Sequence, residues 1–360
     1  MKQLWKHLLS AALLPCLLAG CGAPETPAES GSSADHLLGL TQEQRLEDYD
    51  YLVRTLADSY LCMGVRDRDN TGDLSADIFQ EYRELIQESD SDEMFYSAVY
   101  SALFRLGTYG HLQIVEPDAY RSCRQAYEDD SPADRAHWRE VLTDPGTVQG
   151  YEKLQALLDT YGDTESTGDP AGTETPAANL RTLILPGGDV GYVKIDRFPA
   201  EHEDAYEADR AALWDFYRQA ADCTDLIIDL TDNSGGSEVY WQQLLAAPLT
   251  DRPLSCTHYA LLADSENNHP YIQDAFSPEE LHPISELPDL PKLERDGIQA
   301  ATHFVESTLS VEPAAERAPF HGRIWVLVGP AVYSASESFA VFCQETGFAT
   351  LVGSPTGGDG

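Results

Sequence analysis

The chain is short of positive charge. Its 360 residues hold 23 Lys and Arg against 61 Asp and Glu, a formal net charge of −38. A surface so acidic repels phosphate backbones and anionic headgroups, which argues against a nucleic-acid partner. Cysteine is scarce too: seven in 360 residues do not make a disulfide scaffold. Cys62, Cys123, Cys223, Cys256 and Cys343 are scattered without CxxC spacing, so neither a zinc site nor a redox motif is indicated. They read as isolated buried thiols. There is no HExxH and no ligand-like spacing among the histidines, so no metal and no cofactor is expected. Past the first 21 residues no apolar run is long enough to span a bilayer. What is present in ordinary amount is apolar residues, at 42%, which excludes wholesale disorder. The length allows about two domains.

The N-terminus departs from the acidic pattern. Lys2 and Lys6 precede an apolar stretch from Leu8 to Leu18, and no acid occurs before Glu25. This is the layout of an export signal, too short to serve as a spanning helix. Its end, Leu18-Ala19-Gly20-Cys21, resembles a bacterial lipobox. The resemblance implies that residues 1–21 are a lipoprotein signal peptide, with Cys21 lipidated and left as the new N-terminus. An ordinary signal peptide with a chance cysteine is the alternative. Residues 22–35 are small and polar and read as a flexible tether, which places the rest on the extracytoplasmic face of a membrane.

Residues 36–112 read as a small helical domain. Thr41 and Gln44 have capping-box spacing, and Leu46, Tyr49, Leu52, Val53, Leu56 and Tyr60 recur at helical intervals. A second helix runs through Ile78, Phe79, Tyr82 and Ile86, and a third from near Ser91 to Gly107. Residues 113–185 read as a mixed linker or insertion with a polar low-complexity loop. From 186 the pattern changes to strands 190–195, 226–230, 324–328 and 349–352, with helices near 205–220 and 334–345. That alternation predicts an α/β core. Asp67 to Ser75 has calcium-loop-like oxygens, but Ile78 stands where such a loop ends in Glu, so an acidic turn is expected.

Three segments carry candidate chemistry. Tyr333-Ser334-Ala335-Ser336-Glu337 lies between a buried strand and a helix, where free N–H groups favour a developing negative charge. On spacing alone, Ser334 and Glu337 read rather as a capping box. Asn233-Ser234-Gly235-Gly236 ends a buried strand with a glycine pair, either a plain turn or a close backbone approach to a ligand. Gly110-His111-Leu112 follows the third helix.

Taken in order, GHL, GYVKI, IIDLTDNSGG, VGPAVYSASES and ATLVGSPTGG resemble the S41 family of serine peptidases. That family includes the tail-specific processing proteases and the tricorn core. The resemblance is dense over 186–360 and looser over 40–112. It implies a crotonase-like (ClpP-like) α/β spiral core behind the small helical domain, and a polypeptide substrate. It assigns Ser334 as nucleophile, with the N–H groups of Ala335 and of Gly235 or Gly236 as oxyanion hole. Processing proteases of the family use a lysine after a T-x-G segment; here Thr356-Gly357-Gly358 is followed by Asp359, which cannot serve as a neutral amine. The tricorn-like branch instead uses an earlier histidine, which points to His111 as base. Thr231 replaces the usual arginine of the strand ending, and no PDZ segment is evident. The family core continues beyond the T-x-G segment, so 186–360 is expected to be C-terminally truncated. Three functions follow: a lipid-anchored serine endopeptidase, an inactive peptide-binding adaptor on the same fold, or a solute-binding lipoprotein. Oligomeric state is not specified by any of these features.

Cys21→Ala should release the protein from membranes or block its processing. Fractionation together with mass spectrometry of the N-terminus checks this. Unchanged fractionation, with no lipid on the wild-type N-terminus, would overturn the anchor.

Overall fold

The computed structural model describes residues 38–89, 91–107, 109–129, 136–162, 179–290, 293 and 295–358. The signal peptide with Cys21, the tether, most of the polar low-complexity loop, and Asp359 lie outside them. The chain divides into two compact units, one of residues 1–169 and 260–305, the other of 170–259 and 306–360. These boundaries differ from those read in the sequence. The mixed, partly helical stretch 113–162 supplies three helices that share the apolar core of the first unit. The stretch 260–305 also leaves the α/β part of the chain to join that unit.

The first unit is largely helical. It contains α1 (Gln42–Ser59), α2 (Cys62–Asp69), α3 (Ser75–Glu88), α4 (Asp92–Leu106), α5 (Pro117–Asp129), α6 (Ala136–Thr143) and α7 (Pro145–Gly162). α1 opens with the expected capping box: Thr41 Oγ1 accepts from Gln44 N, and Gln44 Oε1 accepts from Thr41 N. α4 begins where Ser91 accepts from Met94 N at 3.1 Å and stops at Gly107, whose φ of 84° suits glycine. Tyr49, Leu52 and Leu56 of α1 bury one face against Ile78 and Ile86 of α3 and Phe95, Val99 and Leu103 of α4. The acidic segment after Val65 is partly helix, as α2. The Asp67 carboxylate takes hydrogen bonds from Ser75 N (2.8 Å) and Ser75 Oγ (2.5 Å), and Arg66 bridges Asp67 and Asp73.

The second unit is built on a five-stranded sheet of order β1-β2-β3-β7-β8. Its strands are β1 (Leu180–Ile184), β2 (Val190–Ile195), β3 (Asp225–Asp229), β7 (Arg323–Val328) and β8 (Thr350–Gly353). β2, β3, β7 and β8 run parallel, and β1 adds antiparallel to β2. The continuous apolar strands lie in the middle, as expected of a sheet covered on both faces. Val193, Ile195, Leu226, Ile228 and Val326 are fully buried in one core with side chains of α8 (Asp204–Gln219) and α12 (Ala335–Thr346). β1 was not foreseen, because an exposed edge strand needs no apolar run and its three central residues are exposed.

Between β3 and β7 come α9 (Glu238–Tyr240), a π-helical turn (Trp241–Ala246) and α10 (Ala247–Leu249). β4 (Leu254–Leu262), α11 (His269–Ala275), β5 (His282–Pro283) and β6 (His303–Val311) follow, the strands forming a second sheet of order β4-β6-β5. Trp241 is fully buried, its ring 5.3 Å from Phe339 and 5.0 Å from Phe342 of α12.

The first unit carries a buried ion pair. The Asp92 carboxylate, with no exposure, accepts from Arg45 Nη2 and from Leu38 N, both at 2.7 Å, and Arg45 is 2% exposed. Asp92→Ala would break this buried pair and leave the Leu38 N–H without its acceptor, a change that costs about 3–5 kcal/mol. Urea unfolding should show a loss of that order, and a loss below about 1 kcal/mol would mean that the pair is dispensable.

Candidate active site

β3 and β7 are parallel neighbours, so both chains leave the sheet at the same edge. Loops at the carboxyl ends of parallel strands are where α/β sheets place their sites. Here they are the glycine segment ending at Gly236 and the turn Gly329–Ser334 that starts α12.

Ser334 has φ 55° and ψ −126°. Among the described non-glycine residues only Ser334 and His111 (φ 59°) have positive φ. A left-handed backbone is uncommon for residues with a Cβ, and such strain persists where surrounding contacts hold it, often at functional sites. Ser334 does not act as a helix cap, since its side chain makes no hydrogen bond to an α12 N–H. The capping-box reading of Ser334 and Glu337 is thereby set aside. The Ser334 N–H instead donates to Gly358 O at 3.3 Å, and Tyr333 bridges Gly358. The T-x-G-like segment thus runs beside the serine. Ala335, as the first residue of α12, has an N–H that no helical carbonyl can reach.

The glycine loop packs against this turn. A Cβ placed on Gly235 would stand 2.7 Å from Tyr333 O and 3.1 Å from Ser334 Cβ, so only glycine allows the approach, and its φ of 105° requires the same residue. The two glycines differ in what their N–H groups do. That of Gly235 donates to Asn233 Oδ1 at 2.8 Å. That of Gly236 has no acceptor among the described residues, while its neighbours hold Phe198: Phe198 N donates to Gly235 O and Ser237 N to Phe198 O, each at 2.8 Å.

Asn233 joins these parts. It is fully buried, its Nδ2 donates to Ile195 O at 3.1 Å, and its Oδ1 also accepts from Ser336 Oγ at 2.6 Å. One amide therefore ties the end of β2, the glycine loop and the first turn of α12. Glu238 adds a second tie, accepting from Trp241 Nε1 (2.8 Å) and Ser338 Oγ (3.1 Å). Sequence reasoning missed Asn233, Ser336 and Glu238 as site-forming residues. Asn233 and Ser336 stood in the two motifs, but their pairing spans 103 residues and no spacing rule reports it.

Lys194 is the sole lysine in the stretches that make up the second unit, so it is the amine to weigh as a base there. It is paired across β2 and β3 with Asp229 and hydrogen-bonds to Asp232 and Thr231 Oγ1. The bond to Asp232 raises its pKa, so the amine is held protonated and unfit to take a proton. Burial opposes ionisation of Asp229, but hydrogen bonds from Tyr192 and Thr231 and the Lys194 charge prevail and hold its carboxyl below the usual range. The Tyr192 hydroxyl is pushed up to about 12, first by burial and then by its bond to Asp229.

His111 belongs to the first unit, in a short 3₁₀ turn Tyr109–His111. Gly110 precedes it at φ 57°, so two successive residues are left-handed. The turn is pinned from behind: Tyr60 Oη donates to Tyr109 O, and a Cβ on Gly110 would lie 2.7 Å from Cys62 Sγ. The imidazole itself is exposed.

A strained serine at a strand-to-helix turn, facing a glycine loop with an open N–H, is the arrangement of a serine-type hydrolase on an α/β sheet. Residues 189–360 match the model of peptidase family S41. Solved structures are similar at a distance. A candidate peptidase from Parabacteroides merdae is 16% identical, with 89% of this chain and 77% of that one covered and a TM-score of 0.47. Mature CPAF is 12% identical, with 89% and 84% covered and a TM-score of 0.46. A lipoprotein from Streptococcus agalactiae is 12% identical, with 89% and 78% covered and a TM-score of 0.40. No curated protein matches the chain. The likeness to the family rests on the match over 189–360.

Asn233→Leu keeps the volume of the side chain but orphans the Gly235 N–H and the Ser336 hydroxyl. Each buried group left unpaired costs about 1–3 kcal/mol, so urea unfolding should show a loss of at least about 2 kcal/mol. Ser336→Ala removes one bond and should cost about 1 kcal/mol. If Asn233→Leu costs no more than Ser336→Ala, the amide is not the tie.

Proposed function

We propose that the chain is a lipid-anchored serine endopeptidase that hydrolyses peptide bonds of exported polypeptides on the extracytoplasmic face of a membrane. The family supplies the peptidase class. The observation that carries the finer reading is that the two described non-glycine residues with left-handed φ are Ser334 and His111, the expected nucleophile and base. The lipid anchor and the location are supported by the lipobox-like Leu18-Ala19-Gly20-Cys21 behind a basic and apolar start.

In this reading the Ser334 hydroxyl attacks the scissile carbonyl as its proton passes to the neutral imidazole of His111. The carbonyl oxygen becomes an oxyanion and takes hydrogen bonds from the N–H groups of Ala335 and Gly236. Gly236 is favoured over Gly235 because the Gly235 N–H already donates to Asn233. The imidazolium then protonates the leaving amine, and water hydrolyses the acyl-enzyme with the same histidine as base. Lys194 takes no part as base, since its carboxylate partners keep it charged.

A fluorophosphonate probe should label wild-type protein at Ser334, and Ser334→Ala should abolish labelling and peptide cleavage. His111→Ala should lower cleavage about as far, with little further loss in the double variant, because groups that act as one unit are not additive. Lys194→Met should retain cleavage if the protein still folds. Absence of labelling, with retained peptide binding, would support the adaptor reading instead. Near-full cleavage by His111→Ala, with none by Ser334→Ala, would place the base elsewhere.

A further inference from the structure

The second unit holds a cavity of about 420 Å³ away from the serine turn. It takes in the residues that begin β7 (Arg323, Ile324, Trp325) and β8 (Thr350), whereas Ser334 follows the other end of β7. Six strand residues separate those ends, roughly 20 Å at about 3.3 Å per residue.

The lining has two parts. Leu249, Leu254 and Phe320 are buried and make an apolar floor, which the half-buried Ile324 and Phe348 extend. Arg252, Arg317, His321 and Arg323 stand exposed around it. In a chain with 23 basic residues against 61 acidic ones, three arginines converging on one cavity is a local reversal of sign.

The cations are not equally available. Arg323 forms a two-bonded pair with Asp225 at 2.8 and 2.9 Å, and that pairing pulls the Asp225 carboxyl down to about 2. Its guanidinium also lies 5.7 Å from the Trp325 ring centre. Arg252 gives one N–H to Thr346 O at 3.4 Å, and Asp251 stands beside it in the lining. Arg317 makes no ion pair or hydrogen bond to any described residue. Two guanidinium groups with spare donors thus rim a mainly polar hollow that has an apolar patch at Ile324 and Phe348. Guanidinium forks bind carboxylates in two-bonded geometry, and the patch covers a small apolar body.

We propose that this cavity binds a small carboxylate with an apolar body, the acid held by Arg252 and Arg317 and the body lying on Phe320, Ile324 and Phe348. Two sources share that chemistry, a fatty acid and an apolar amino acid ending in a free carboxyl. The site is independent of the hydrolytic reading, because none of its residues belongs to the serine turn or the glycine loop.

Calorimetric titration of the full chain tests the proposal with two matched pairs: octanoate against octanamide, and N-acetylphenylalanine against its amide. At least one acid should bind once per chain and at least about tenfold more tightly than its amide, as a charge-assisted contact requires. Binding should weaken as salt is raised. The double variant Arg252→Ala with Arg317→Ala should weaken acid binding about tenfold without changing the melting temperature. Arg317→Ala alone gives the same direction of change if the double variant melts early. Octanoate as the tighter acid identifies a lipid-type ligand, and N-acetylphenylalanine a peptide end. No acid binding up to millimolar concentration, equal binding of acid and amide, or undiminished binding by the arginine variants would overturn the proposal.

Discussion

The candidate site depends on one buried amide. Asn233 reaches the end of β2 through Ile195 O, the glycine loop through Gly235 N and the start of α12 through Ser336 Oγ. Each partner would otherwise be a buried polar group without its bond, so the three elements are held together by the penalty of separating them. The same bond distinguishes the two glycines: it occupies the Gly235 N–H and leaves that of Gly236 open.

Strain is the second constraint. Ser334 keeps a backbone that its own side chain disfavours, held by the bond of its N–H to Gly358, the packing of Gly235 and the helix that begins at the next residue. His111 is held the same way in its own unit, by Tyr60 and Cys62 behind the turn. Local strain of this kind needs rigid support, and both units supply it from fully buried side chains, Leu52, Ile78 and Phe95 in one, Trp241 and Phe339 in the other.

Charge is arranged against the overall excess of acid. Thr231 follows the end of β3, and Lys194 from the neighbouring strand hydrogen-bonds to it and to Asp232. The Lys194 amine is thereby engaged in holding the carboxylates of Asp229 and Asp232. At the other end of the sheet the Arg323–Asp225 pair leaves Arg252 and Arg317 as the groups with spare donors.

Much of this was legible in the amino-acid order, because the signals are local. The Thr41 and Gln44 capping box, the Ser91 cap, the Gly107 stop and the buried strands each act within a few residues. The serine and glycine segments stood out by their order along the chain. Other features depend on partners far away in sequence and leave no periodic trace. An exposed edge strand such as β1 shows no apolar run, and nothing in the partly helical pattern of 113–162 reports that its helices share a core with α1, α3 and α4. Ser334 and Glu337 matched a capping box in letters, and only the left-handed backbone at Ser334 ruled it out. Sequence by itself determined which segments could be chemical. Tertiary structure decided which N–H stays open, which amine stays charged and which arginines converge, since each depends on contacts that cross the chain.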